Sequence, residues 1–240
     1  RAARLLQRSA GVSAGATIGV HKRIPMGGGL GGGSSDAATV LLALDRLWGI
    51  ASPRERLMAL GLQLGADVPF FVGGANAFVE GIGERITPID LPEAHFAVIH
   101  PCVSVPTAAI FGAPELTRDS EVIKLLDFSK NGSGALLEQL AVGKSDRLVL
   151  RNDLEPVAAA RFDAVREALV WLSRCVDDCG DDRAERDWPG ALGTARMSGS
   201  GACVFRAFGS AEHAAACIAA LPARWSGWSV RSLAAHPHAG

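Results

Sequence analysis

Pro25-Met26-Gly27-Gly28-Gly29-Leu30-Gly31-Gly32-Gly33-Ser34-Ser35-Asp36-Ala37-Ala38 sets six glycines directly ahead of a segment patterned as a helix. Ala37, Val40, Leu41, Leu44, Leu47 and Trp48 recur at threes and fours, the spacing of one buried helical face, and Gly49 stands where a left-handed C-terminal cap belongs. The helix is therefore expected to begin near Ser34. Its first N–H groups have no partner inside the helix and carry the positive end of its dipole, while the glycines let the backbone close around an anion with no side chain in the way. Phosphate is the guest this chemistry predicts. A flexible linker can have the same composition, but a linker does not run straight into a periodic apolar helix. The sequence GxxxxGK[ST] is absent and no lysine follows the glycines, so this is not the common strand-to-helix P-loop.

With 240 residues, 48% hydrophobic, 20% charged and of formal net charge −1, the chain is expected to be a soluble globular protein with no nucleic-acid or membrane partner, as a monomer or homodimer. No apolar run reaches the ~18 residues of a membrane span, and no secretory pattern opens the chain, so a cytoplasmic location is expected. Cys102, Cys175, Cys179, Cys203 and Cys217 are an odd count and fit free thiols better than a disulfide framework. Cys175 and Cys179 could share a metal, yet no His or Cys neighbour completes a set, and no residue is assigned to a metal.

Arg1 to Arg8 has the pattern of a helix interior with no capping residue ahead of it, so the N-terminal domain is expected to be truncated. Ala16 to Lys22 alternates like a half-buried strand leading into the glycines, with Lys22 and Arg23 either near a bound nucleotide or simply solvated. Ser52 and Pro53 predict an N-cap and first position for a helix carrying Leu57, Leu60 and Leu64. Pro69 predicts a bend at Asp67-Val68, because the residue before proline avoids helical angles. Residues 76–80 and 85–89 form a predicted hairpin that closes a first domain at residue 90. His95 to His100 is a predicted strand and Val105 to Gly112 a short helix, with residues 127–150 a loop or helical excursion. Asn152 or Asp153 can cap one helix whose face holds Ala158, Phe162, Val165, Leu169 and Leu172. After the acidic 177–187 run, a solvated loop, come a strand from Ala202 to Phe208, a helix from Ala211 to Leu221 and a strand around Trp228 to Leu233. Alternating strands and helices with an antiparallel pair predict an α+β fold.

The glycine stretch resembles the second motif of the superfamily of galactokinase, homoserine kinase and mevalonate kinase, the GHMP kinases. PMGGGLGGGSSDAA, LGADVPFF, AFVEGIGE with ITPID, HPCVSVPTAAIF, NDLEP and SGSGACVF together resemble segments of the family of 4-diphosphocytidyl-2-C-methyl-D-erythritol kinases, over nearly the whole chain. The resemblance implies a two-domain GHMP-kinase-like α+β fold: an S5-domain-2-like ATP-binding α/β domain over 1–90 and a ferredoxin-like domain over 91–240. It implies transfer of the ATP γ-phosphoryl group, with Mg²⁺, to the 2-hydroxyl of a cytidine-diphosphate-linked methylerythritol, a step of isoprenoid biosynthesis. Carried over by position, Pro25, Met26, Gly27, Gly28, Gly29, Leu30, Gly31, Gly32, Gly33, Ser34 and Ser35 match the ATP-phosphate loop. Asp67 matches the catalytic aspartate beside the acceptor. Phe111 matches the aromatic that stacks on cytosine, with Thr107 lining the same pocket. Gly199 and Gly201 belong to the third motif, which closes on the loop. Asp36 conflicts with a phosphate if it sits in the first helical turn, a conflict that Mg²⁺ or an outward rotamer would relieve. The Pro-Ala-Lys-Leu-Asn motif and the aromatic-histidine pair of the family are absent from this sequence, which has no tyrosine. On that departure the chain alone is expected to be inactive. Two alternatives stay open: a nucleotide-binding remnant without activity, and a superfamily kinase for another small alcohol.

Overall fold

The structure, a computed structural model, describes residues 1–120, 151–174, 188 and 190–236. Two compact units divide the chain. One comprises Arg1–Ile24, Gly31–Leu91 and the chain from Leu233 on; the other comprises Pro25–Leu30 and Pro92–Ser232. The expectations for residues 127–150, Cys175, Cys179 and the 177–187 run lie outside the described residues.

In the first unit, α1 (Ala2–Ala10), α2 (Gly32–Leu47), α3 (Arg54–Leu62) and α4 (Val68–Gly73) precede a hairpin of β1 (Ala77–Glu80) and β2 (Arg85–Pro88). Leu6, Ala38, Leu41, Leu44, Leu57, Leu60, Val68 and Val72 interlock as its core. Leu47, expected on the buried stripe of α2, is 68% exposed, because the stripe is centred on Ala38, Leu41, Leu44 and Asp45 instead. Gly49 does adopt the left-handed conformation, with φ +64, and Ile50 N–H closes back on Asp45 O. Asp45 is buried, and both its carboxylate oxygens accept from Ser52 N–H at 3.2 Å.

Four local expectations change. Pro53 rather than Ser52 is the N-cap of α3, and the Ser52 hydroxyl is buried without a partner. Val68 is helical after all, since Pro69 falls in the first turn of α4, where a missing N–H costs no intrahelical bond. Residues 16–22 form no strand, because no strand among the described residues lies alongside them to supply a ladder. Ile18 and Val20 are accordingly 46% and 57% exposed. The helix expected after Asn152 is two helices, broken at Phe162, whose backbone is extended.

The second unit runs β3 (His95–His100), α5 (Thr107–Phe111), α6 (Leu154–Arg161), α7 (Asp163–Ser173), β4 (Ala191–Met197), β5 (Val204–Phe208), α8 (Ala211–Ala219) and β6 (Ser226–Arg231). Its sheet has the order β4-β5-β3-β6, with every neighbouring pair antiparallel. Read in chain order around α7 and α8, this is the βαββαβ arrangement of a ferredoxin-like fold. Ala97 and Ile99 of β3, Val204 and Phe208 of β5, Val165, Ala168 and Leu172 of α7 and Cys217 of α8 meet in one core. β4 has no counterpart among the sequence expectations, because a register shift between Leu192 and Arg196 breaks its alternation. Arg206, 3% exposed, donates to Gly193 O at that irregularity and to Leu172 O and Ser173 O at the end of α7. A buried cation thus meets the negative end of a helix dipole.

Candidate active site

In the second unit, Pro25–Leu30 lies along the turn from β4 to β5. Gly27 O accepts from Ala202 N–H at 3.2 Å, Gly28 O from Cys203 N–H at 3.0 Å and Gly29 O from the Ser198 hydroxyl at 2.7 Å. The approach is close enough to demand glycine. A Cβ on Gly29, whose φ is +71°, would stand 2.0 Å from Ser198 O, and one on Gly28 would stand 2.9 Å from Cys203 Sγ. Gly199, at φ +54°, faces Gly29 O in return, and Gly201, at φ +92°, sits against Met197 Sδ. The glycines are therefore required by packing as well as by an anion. The carbonyls of Gly27, Gly28 and Gly29 are occupied and Met26–Gly27 is a hydrogen-bonded turn, while among the described residues the N–H groups of Gly29, Leu30 and Gly31 make no such backbone bond. Burial pushes the Cys203 thiol up to about 12, so it stays a protonated packing group.

Thr107 and Phe111 sit one turn apart on α5. The Thr107 hydroxyl lies 2.8 Å from the Ser200 hydroxyl, which joins α5 to the same turn. Phe111 is 55% exposed, whereas its neighbour Ile110 is fully buried and anchors the helix. An exposed aromatic ring on an anchored turn can take a flat base on its face.

In the first unit, α2 begins at Gly32, two residues before the expected Ser34. Its N-cap is Gly31 with φ +66°, no side chain caps it, and its first return bond is Ser35 N–H to Gly31 O at 2.9 Å. The N–H groups of Gly32, Gly33 and Ser34 are left for an outside acceptor. The earlier start moves Asp36 out of the first turn, which holds no acid. Lys22 Nζ lies 2.5 Å from Asp36 Oδ2, so a lysine offsets the charge of this carboxylate. Lys22 is a part of this neighbourhood that its position in the sequence left undecided.

Asp67 is the N-cap residue of α4, exposed and with no capping hydrogen bond. Two contacts hold its neighbourhood. Phe71, one turn on, lies where a Cβ on Gly31 would come within 2.7 Å of its ring, and the hairpin turn brings Gly83 against Ala66 O, with 2.1 Å left for a Cβ. The start of α2 and the peptide before Asp67 are thus tied into one frame. A cavity of about 330 Å³ between α1 and α2 is lined by Ala3, Ile18, Gly33, Val40 and Leu64.

Residues 1–75 match the family model of the GHMP kinases N terminal domain. A 4-diphosphocytidyl-2-C-methyl-D-erythritol kinase of Ralstonia pickettii is 49% identical over 237 residues, 99% of this chain and 72% of that protein. The kinase of the same name from Thiobacillus denitrificans is also 49% identical, over 99% of this chain and 73% of its own length. Among solved structures, a 4-(cytidine 5'-diphospho)-2C-methyl-D-erythritol kinase superposes with a TM-score of 0.71 at 33% identity, covering 96% of this chain and 75% of that one. Homoserine kinase from Cytophaga hutchinsonii shares the fold, with a TM-score of 0.55 at 19% identity over 90% of this chain and 69% of its own. The fold and the matched model define the class: a GHMP kinase, a phosphotransferase acting on a small molecule. Within that class, given its likeness to these relatives along its whole length, the chain belongs to the 4-diphosphocytidyl-2-C-methyl-D-erythritol kinase family.

Proposed function

We propose that this protein transfers the γ-phosphoryl group of ATP to the 2-hydroxyl of 4-diphosphocytidyl-2-C-methyl-D-erythritol, in isoprenoid precursor biosynthesis. The observation that carries the proposal is the 49% identity over 99% of the chain to a kinase bearing that substrate's name. We read residues 1–90 as the ATP-binding domain and 91–240 as the C-terminal domain. Phosphoryl transfer asks the protein mainly to position its reactants and offset charge. The glycine segment suits that task, with the carbonyls of Gly27, Gly28 and Gly29 tied down and the N–H groups from Gly29 to Ser34 free of backbone acceptors. Pro25 to Ser35 hold the phosphates in this reading. Asp67 accepts the proton of the attacking hydroxyl, for which an exposed, uncommitted carboxylate on a braced turn is suited. Phe111 and Thr107 receive the cytosine, and Gly199 and Gly201 let the Ser198 turn close on the loop.

Among the described residues no group of three His, Cys, Asp or Glu side chains could hold a metal. In this reading Mg²⁺ would arrive with the nucleotide and would supply charge neutralisation at its phosphates. No helix among the described residues is long and apolar enough to cross a membrane. Cys102 and Cys203 are free thiols, in keeping with a cytoplasmic enzyme, which we read as a monomer or homodimer. The test is ADP release by the purified protein with ATP, Mg²⁺ and alternative acceptors. Release with the cytidine-linked methylerythritol, and none with homoserine or galactose, is the expected result. Release that ignores the acceptor would overturn the assignment.

A further inference from the structure

We propose that Asn152 is a positioning residue for the nucleotide loop, acting through the Met197–Gly199 segment; this rests on the reading of Gly27 to Ser34 as the phosphate cradle. Asn152 stands just before α6. Its Oδ1 accepts from Leu154 N–H at 3.0 Å, and its Nδ2 donates to Met197 O at 3.0 Å and Gly199 O at 2.7 Å. A backbone N–H can only donate and a carbonyl can only accept, so the amide cannot be turned over without setting donor on donor and oxygen on two oxygens. Glu155, in the first turn of α6, accepts from Met197 N–H at 2.6 Å. The Met197 residue is thus gripped at both its N–H and its C=O by one helix start.

The next residue carries the grip onward. Ser198 donates its hydroxyl to Gly29 O at 2.7 Å, and Ser198 O is what a Cβ on Gly29 would strike. Ala202 and Cys203, at the far side of the same turn, donate to Gly27 O and Gly28 O. The place of the turn therefore sets the places of three consecutive loop carbonyls, and so the outline that their N–H groups offer to an anion. Asparagine has the one acceptor and two donors this junction uses. Aspartate retains the acceptor and loses both donors.

That difference separates helix capping from loop positioning. Asn152→Asp should melt below the natural protein, since a carboxylate oxygen then faces Met197 O and Gly199 O, but above Asn152→Ala, because its other oxygen still accepts from Leu154 N–H at the start of α6. Its affinity for a non-hydrolysable ATP analogue, measured by calorimetry, should nevertheless fall about tenfold, the scale of a lost hydrogen-bonded link. Ser198→Ala, which cuts the last link, should fall similarly. The double variant should lose no more than about a further twofold, because both changes break one path. Losses that multiply would overturn the inference, as would undiminished affinity in Asn152→Asp. So would an Asn152→Asp protein that melts as low as Asn152→Ala, which would make the two donated bonds a matter of overall stability rather than of loop placement. If the natural protein fails to bind the analogue, the cradle reading falls first and this inference with it.

Discussion

Asp67 makes no capping bond, so its carboxylate can be altered without loosening the helix it begins. Asp67→Asn should keep its melting temperature and its affinity for an ATP analogue, while kcat falls at least ~10²-fold for want of a positioned proton acceptor. Phe111→Ala should divide the other way. An exposed ring contributes little to the core, but a lost base–aromatic stack weakens the cytidine substrate by roughly 1–3 kcal/mol, with nucleotide affinity unchanged. Steady-state kinetics in both substrates checks the pair, and natural kinetics in both would remove these residues from the site. At this scale the sequence was most informative where a residue type has few uses. The dense glycines could be assigned because little else tolerates φ near +70° or a neighbour so close that a Cβ would stand 2.0 Å from it. Partners were less legible. Asp36 opposes phosphate by its place in the sequence, and the Lys22 that pairs with it lies fourteen positions back in the chain. Asn152 was recognisable as a cap candidate, but the two carbonyls it also serves come from more than forty residues away.

Elements obey local patterns until another element overrules them. The glycine loop meets α2 at two kinds of glycine that composition cannot distinguish. Gly31 is left-handed and pressed on Phe71, whereas Gly33 has ordinary angles and open space around the place of a Cβ. Gly31→Ala should therefore destabilise the fold by about 1–2 kcal/mol or more, since a left-handed alanine is strained before any clash is counted. Gly33→Ala should be neutral or stabilise by up to about 1 kcal/mol through helix propensity. Urea unfolding of the two variants measures the contrast, and equal effects would mean that the start of α2 is misplaced. The same competition explains which elements were legible. β3, β5 and α8 carry apolar runs of ordinary period and were expected. β4 was not, because Gly193 and a register shift interrupt its alternation. Residues 16–22 have strand-like alternation, but a strand also needs a neighbour to hydrogen-bond, which no local pattern supplies. Phe162 breaks one expected helix into two and leaves Val157 and Ala158 on one side, Val165 and Leu172 on the other, all buried in the same core.

At the scale of the molecule the chain does not pass once from one unit to the other. It leaves the first unit for Pro25–Leu30, returns at Gly31, leaves again at Pro92 and returns at Leu233, where Ala235 bridges Ala75 and His236 N–H bonds to Gly74 O. A six-residue strap from the first quarter of the sequence is therefore part of the second unit's own structure. Its carbonyls satisfy Ala202 N–H and Cys203 N–H, both residues fully buried, and it accepts from Ser198. The segment 92–240 expressed alone lacks that strap. Three hydrogen bonds at about 1 kcal/mol net each put the loss near 3 kcal/mol, a large share of a domain's usual stability. For a unit of this size that corresponds to a melting temperature lower by roughly 10 °C. Joining residues 25–30 to residue 92 through a long flexible linker should restore most of the difference, because the bonds form without the rest of the first unit. Thermal unfolding followed by near-ultraviolet circular dichroism compares the two chains. If 92–240 melts as high as the linked chain, the strap contributes nothing to the unit it lies in, and the carbonyls of Gly27, Gly28 and Gly29 are not held as argued.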